Sequence, residues 1–324
     1  RFLPPGPAGM LRHFQSCVER PADELDALFK GHSLPKPHWD EKLANDRGAR
    51  HEFYRMLASH GLLSFRRRIK SKIGFFFVNK SSGDIRLIVD ARQPNMCHKP
   101  PPRTQLGSVG SMAELDLSPE SWEELVSSGG SDPDSGAAEF DPHGATADVD
   151  DCFYQFRNKE LASWFGIDEL LQPWDFGIQT AYDDDLECMS PIGADEFLYP
   201  VFEAVPMGWT WALHLCNEAV AKLAEAAVGG TAEDSRLLRE KCCPPRLGPG
   251  RPVVAVYVDN FTSIGGNRRD TVKSLSNLNS GAREAKVGVH GMEPRGVGRY
   301  FDSLGVEFSL PTGIMRHKSR RIWR

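Results

Sequence analysis

Val253-Val254-Ala255-Val256-Tyr257-Val258-Asp259-Asn260-Phe261-Thr262-Ser263-Ile264-Gly265 consists of two β-rich runs with a carboxylate and an amide between them. β-Branched and aromatic residues at this density predict strands, and Asp259-Asn260 is a two-residue hairpin signature. That reading sets an acidic side chain at the tip of an otherwise buried hairpin, where a divalent cation could be held rigidly. A lone hairpin of this kind is usually only good turn chemistry, so the rest of the chain decides.

Two more segments have the same character. Ala147-Asp148-Val149-Asp150-Asp151-Cys152-Phe153-Tyr154-Gln155-Phe156 reads as a strand ending in carboxylates and turning into aromatics. Phe202-Glu203-Ala204-Val205-Pro206-Met207-Gly208-Trp209-Thr210-Trp211-Ala212-Leu213 reads as a strand, a Pro/Gly turn and the start of an amphipathic helix. Leu215, Ala219, Val220 and Leu223 continue that helix at helical spacing. Upstream stands Ile85-Arg86-Leu87-Ile88-Val89-Asp90-Ala91-Arg92-Gln93-Pro94-Asn95, and downstream Phe301-Asp302-Ser303-Leu304-Gly305-Val306-Glu307-Phe308.

In this order the five segments resemble the reverse transcriptases of retroelements. Asp148 to Phe156 is similar to their motif A, Pro206 to Trp209 to motif B, and Tyr257 to Asn260 to motif C, the Tyr-x-Asp-Asp box. Ile85 to Asn95 resembles the fingers strand Arg-x-hydrophobic-hydrophobic-Asp-x-Arg-x-x-Asn, and Leu304-Gly305 the Leu-Gly of the primer grip. The resemblance implies an α+β right-hand polymerase fold: a palm with an antiparallel sheet backed by helices, plus a fingers hairpin, with the thumb largely absent. Its expected divisions are residues 1–60 as a helical, partly disordered extension, 61–110 as fingers and 111–143 as an acidic insertion or linker. Residues 144–300 would be palm, with an insertion at 228–251, and 301–324 the primer-grip strand and the start of a thumb.

The implied function is RNA-directed DNA polymerisation by two-metal nucleotidyl transfer, in a retrotransposon protein. The alternative is a degenerate relic that keeps the fold and binds nucleic acid without polymerising. By resemblance, Asp148 and Asp259 are the catalytic carboxylates and hold Mg²⁺, or Mn²⁺, with the backbone carbonyl of Val149. Lys80 and Arg86 would contact the triphosphate. Phe153 would lie under the incoming sugar, where a ring excludes a 2′-hydroxyl and argues against an RNA polymerase. Met207, Gly208 and Trp209 would line the nucleotide and template side, and Tyr257 and Val258 would flank the primer terminus. Partners would be an RNA or DNA template, a DNA primer, deoxynucleoside triphosphates and other retroelement-encoded domains. Two positions depart from the family. Asn260 replaces the second Asp of the box, and Val287 to Arg295 has no lysine to protonate pyrophosphate, leaving His290 or Arg295.

The bulk numbers are those of a globular protein, with a net charge that looks wrong for a nucleic-acid enzyme until it is resolved along the chain. At 324 residues, 40% hydrophobic and 26% charged, the chain has ample material for a core. No apolar run reaches membrane-spanning length and no secretory signal appears, so the expectation is an intracellular protein of nucleus or cytoplasm. An opening Arg1 suggests a piece of a polyprotein. Seven scattered cysteines without Cys-x-x-Cys spacing suggest reduced thiols. The net charge of −5 is unevenly spread: Arg66 to Arg103 is basic, while Glu114 to Asp151 holds no Lys or Arg. Arg66-Arg67-Arg68 is therefore either a phosphate-binding run or a solvated face, and Asp183-Asp184-Asp185 reads as an exposed loop. Residues 1–20 read as poorly ordered, Arg50 to His60 as a helix stopped by Gly61, and Phe75–Val78 with Arg86–Val89 as a hairpin. Residues 107–144 show little periodicity beyond one short helix at Pro119 to Val126.

Overall fold

The computed structural model describes residues 3–30, 33–79, 83–128, 139–157, 159–291 and 296–318. Lys80 and Arg295 lie outside the described residues. In chain order the strands are β1 (Leu63–Arg66), β2 (Gly74–Asn79), β3 (Ile85–Asp90), β4 (His143–Val149), β5 (Thr180–Asp183), β6 (Cys188–Pro191) and β7 (Tyr199–Phe202). Then come β8 (Leu237–Leu238), β9 (Val253–Tyr257), β10 (Asn260–Gly265), β11 (Val289–His290), β12 (Tyr300–Ser303), β13 (Val306–Ser309) and β14 (Ile314–His317). The result is a mixed α and β protein with small, mainly antiparallel sheets. Contacts divide it into two units. Unit one holds Arg103–Cys152, His214–Arg324 and the N-terminal residues as far as Ala8. Unit two holds Gly9–Pro102 and Phe153–Leu213.

Unit one is built on a five-stranded sheet of order β11-β4-β10-β9-β8, with β10 antiparallel to both neighbours. Period-2 alternation gives the sheet two faces. On one, Val253, Ala255 and Ile264 pack with Met112, Leu115, Leu247, Val306 and Phe308, so the β12-β13-β14 sheet covers them. Gly144 permits that approach, since a Cβ there would overlap the Phe301 ring. The other face carries the helix Arg268–Ala285, whose Leu275, Leu278 and Ala282 recur on one side and are buried. Asn267 caps its start by accepting from the Asp270 N–H at 2.9 Å, and Thr271 Oγ1 donates to the His143 carbonyl at 2.9 Å. β12 and β13 join through Leu304-Gly305, both at positive φ (50° and 81°), so this dipeptide is the turn of the hairpin.

Unit two contains the β2–β3 hairpin, the β1–β7 pair and the β5–β6 hairpin. The helix Arg47–Ser59 is capped by Asp46, which accepts from the Ala49 N–H at 3.0 Å, and Gly61 at φ +64° follows its end. Its buried Phe53 meets Phe75 edge-on at 5.2 Å, and Phe75 meets Phe202 at 5.6 Å, forming an aromatic core.

Two expectations need correction. Residues 1–20, expected to be poorly ordered, carry helices at Pro5–Arg12 and Phe14–Cys17. Its anchors are apolar: Val18 is fully buried and the Phe14 ring packs against His98 and Trp164. Between 107 and 128 there are two helices, Val109–Ala113 and Pro119–Ser127, capped by Ser108 and Ser118. Met112, Leu115 and Trp122 from this stretch are buried, which weak periodicity concealed because each helix offers only one or two core residues. Among the described residues no helix is long and apolar enough to cross a membrane.

Candidate active site

β9 is buried along its length until Tyr257, and β10 returns beside it with Tyr257 facing Asn260. The two-residue loop is therefore Val258-Asp259, one residue earlier than the Asp259-Asn260 turn expected from sequence. Asn260 is the first residue of β10 because it pairs with both Tyr257 and Asp148. Val258 takes φ +60°, a left-handed conformation that costs a β-branched residue on the order of 1–3 kcal/mol. Its side chain is buried, and its N–H donates to Asn217 Oδ1 at 3.1 Å. Asn217, fully buried on the helix Thr210–Ala227, thus fixes the loop. Sequence reasoning missed it; polar His214 and Asn217 one turn apart among that helix's apolar residues were the available signal.

Asp259 is tied to the neighbouring strand through its carbonyl, which accepts from the Val149 N–H at 3.0 Å. Asp148 is the penultimate residue of β4 and lies directly across from Asn260 on one side and His290 on the other. His290, Asp148, Asn260 and Tyr257 consequently form one cross-strand row on one face of the sheet. The Asp148 side chain is 40% exposed, yet its Oδ1 is buried and has no hydrogen-bond partner. Burial first, then the nearby Asp259 carboxylate, push Asp148 above the usual carboxylate range, with His290 opposing them. His290 is shared by two acids: Nδ1 lies 2.5 Å from Asp150 Oδ1 and Nε2 lies 3.9 Å from Asp148 Oδ2. The Asp150 N–H donates to the Gly288 carbonyl at 3.0 Å, holding β11 against β4. β4 ends at Val149, so strand alternation does not govern Asp151, which sits exposed in a turn at φ +42°.

Asp148 and Asp259 offer hard oxygen donors at adjacent strand ends, and the orphaned Oδ1 of Asp148 is a buried acceptor open to a cation. That donor set suits Mg²⁺ or Mn²⁺ and not a soft metal. Asn260 faces the pair as an amide, its Oδ1 accepting from Thr262 Oγ1 at 3.3 Å. Among the described residues no group of three His, Cys, Asp or Glu side chains forms a preassembled metal cluster.

The remaining expected site residues belong to unit two. Arg86 is exposed on β3, opposite Val78, and Phe153 is half-buried in the short helix Cys152–Gln155. Gly208 is exposed, and a Cβ on it would overlap the Val89 carbonyl oxygen, so the Pro206–Trp209 turn sits directly on the end of β3. Asn95 fastens the same turn, donating to the Gly208 carbonyl at 2.8 Å and accepting from the Thr210 N–H at 2.9 Å. Asp90 accepts from the His38 N–H at 2.6 Å and pairs with Arg92; burial pushes its carboxyl up, but the Arg92 and His38 bonds outweigh it and hold it below its ordinary value. Met207 is half-buried. Trp209 is 1% exposed, and its Nε1 donates to His98 Nδ1 at 2.8 Å, which corrects its expected place against template: it is a core residue. Burial keeps His98 neutral by lowering its pKa to about 3, so Nδ1 is free to accept.

No protein-family model matches the chain, and no curated protein matches it. Among solved structures it is similar to a foamy viral protease–reverse transcriptase in complex with double-stranded DNA, at 14% identity and a TM-score of 0.53. The match covers 90% of this chain and 38% of that one. At that identity the likeness is one of fold: the chain has a reverse-transcriptase-like fold and spans well under half of the protein it resembles.

Proposed function

We propose that this chain is the catalytic region of an RNA-directed DNA polymerase encoded by a retrotransposon, and that it extends a DNA primer by divalent-cation-dependent nucleotidyl transfer. The observation that carries the reading is the Asp148–Asp259 pair at adjacent strand ends, in a chain with a reverse-transcriptase-like fold. A primer 3′-oxygen attacks the α-phosphate and pyrophosphate leaves, a reaction in which positioning and charge neutralisation carry the rate. Asp148, Asp259 and the Val149 carbonyl would hold Mg²⁺, which when bound neutralises phosphate charge and favours the ionised primer oxygen.

The chain's own residues do the rest. Asp148, fixed in the cross-strand row between His290 and Asn260, would present its carboxylate to the ion on the side of the attacking oxygen. Asn217 and the strained Val258 keep Asp259 from moving as charge develops. His290, held by Asp150, would give a proton to the leaving group, a role the resemblance leaves to His290 or Arg295. The family resemblance assigns Arg86 and Lys80 to the triphosphate, Phe153 to exclusion of the 2′-hydroxyl, and Met207 and Gly208 to the nucleotide.

A second reading rests on Asn260: an amide in place of a carboxylate fits a relic that binds nucleic acid without polymerising. Extension of oligo(dT) on poly(rA), in Mg²⁺ and then in Mn²⁺, separates the two. Ion-dependent synthesis that disappears in Asp259→Ala supports the polymerase. Equal incorporation by both proteins, or none by either, refutes it.

A further inference from the structure

Arg66-Arg67-Arg68 and Asp183-Asp184-Asp185 lie 115 to 119 residues apart in sequence, and unit two pairs them residue for residue. Arg67 is gripped most firmly, its Nη1 lying 3.2 Å from Asp183 Oδ2 and 3.0 Å from Ser190 Oγ, and its Nε 3.0 Å from Glu196 Oε1. Arg68 Nη2 meets Asp185 Oδ2 at 3.4 Å, and Arg66 Nη1 stands 3.9 Å from Asp184 Oδ1. The three acids sit at the end of β5 and in the turn leading to β6.

We propose that Arg66–Arg68 is a docking strip for the phosphate backbone of a nucleic acid, and that in the free protein the chain's own aspartate turn occupies it. The inference rests on the polymerase reading and names a surface for its nucleic acid. Consecutive carboxylates facing consecutive guanidiniums reproduce the charge pattern of a phosphate strand, the ligand that arginine's planar fork matches best.

Arg66 shows that the internal occupant fits imperfectly. Its guanidinium is wholly buried under the Tyr182 ring, 4.4 Å from the centroid, and its Nη2 donates to the Lys159 carbonyl. Its Nε and Nη1 have no hydrogen-bond partner, because Asp184 stops short at 3.9 Å. An unsatisfied buried donor is costly, and a phosphate oxygen taking the place of Asp184 would satisfy it. The outer end of the occupying turn is the part most easily displaced. β5 and β6 form a separate two-stranded hairpin, a unit that is marginal by itself. Arg68 and Asp185 are 81% and 73% exposed, so salt and water weaken their attraction.

The test is oligonucleotide affinity, read as anisotropy of a fluorescent 20-nucleotide oligo(dT) between 0.05 and 0.4 M NaCl. Asp183 is left intact because its Oδ1 also accepts from the Asp185 and Leu186 N–H groups and shapes the turn. The variant is Asp184→Asn/Asp185→Asn, which removes the carboxylates facing Arg66 and Arg68. Two added contacts to a single strand should steepen the plot of log K against log[NaCl] by about 1.4, and tighten binding roughly 10- to 30-fold at 0.1 M. Adding Arg68→Ala should return about half of the slope. Asp185→Asn alone, at an exposed position, gives a smaller gain of the same sign if the double variant folds poorly. Unchanged affinity and slope in all these variants, or no binding by wild type and variants, overturns the proposal. Tighter binding without primer extension would count only against the polymerase reading, and metal-dependent extension with unchanged slopes only against the docking strip.

Discussion

Replacing Asp148 with Asn should stabilise the protein at neutral pH. Asp148 binds its proton more tightly in the folded chain than in the unfolded one, through burial and then through repulsion from Asp259. For a carboxylate raised in the folded state, stability is highest below the unfolded value and falls as pH rises through the window up to the raised one. Above that window the ionised side chain imposes its full penalty. Every tenfold gain in proton affinity on folding corresponds to about 1.36 kcal/mol. The side chain is 40% exposed, however, so solvent screening reduces its contribution to well below that figure. In a chain of this size a full 1 kcal/mol moves the melting temperature by only about 1–2 °C, so the expected shift is small and upward. Thermal melts of wild type and Asp148→Asn from pH 3.5 to 8 should show the variant ahead at pH 7, with the gap closing as pH falls through the raised value. Mg²⁺ should invert the order. At 10 mM ion and a dissociation constant near 1 mM, wild type would gain about 1.4 kcal/mol that the variant lacks. A variant that is less stable at pH 7 without metal, or a gap independent of pH, would refute the reasoning.

Gly208→Ala should cost on the order of 2–3 kcal/mol, because the new Cβ meets the Val89 carbonyl and backbone must shift; urea denaturation checks it, and an unchanged midpoint contradicts it. Asn95→Ala removes one donor and one acceptor from the same turn and should cost about 1–3 kcal/mol. If the melting temperature holds, the turn is not fastened there. Phe153→Ala, at a half-buried position, should raise incorporation of ribonucleotides relative to deoxynucleotides in primer extension, and an unaltered ratio removes Phe153 from sugar selection.

The sheet of unit one was legible because β-branched runs such as Val253–Val256, buried on both faces, announce strands by composition. The exact turn was not, since Asp259-Asn260 has good local turn chemistry. Pairing of Asn260 with both Asp148 and Tyr257 overrides that preference and forces Val258 into the left-handed region. Trp209 looked like a site residue from its place in a motif, and only packing around His98 makes it core. His290 was visible as a candidate acid, but its bond to Asp150 depends on β11 joining β4, a contact between distant segments. The arginine and aspartate runs were each legible as charge. Their mutual pairing follows from tertiary structure and leaves no local trace.

The central claim is that Asp148 and Asp259 share a divalent cation. Titration of the protein with Mn²⁺, followed by the electron paramagnetic resonance signal of free ion, measures this directly. The account expects wild type to bind Mn²⁺ in competition with Mg²⁺, and Asp148→Asn and Asp259→Asn each to weaken that binding at least tenfold. Equal Mn²⁺ affinity in all three folded proteins would contradict it.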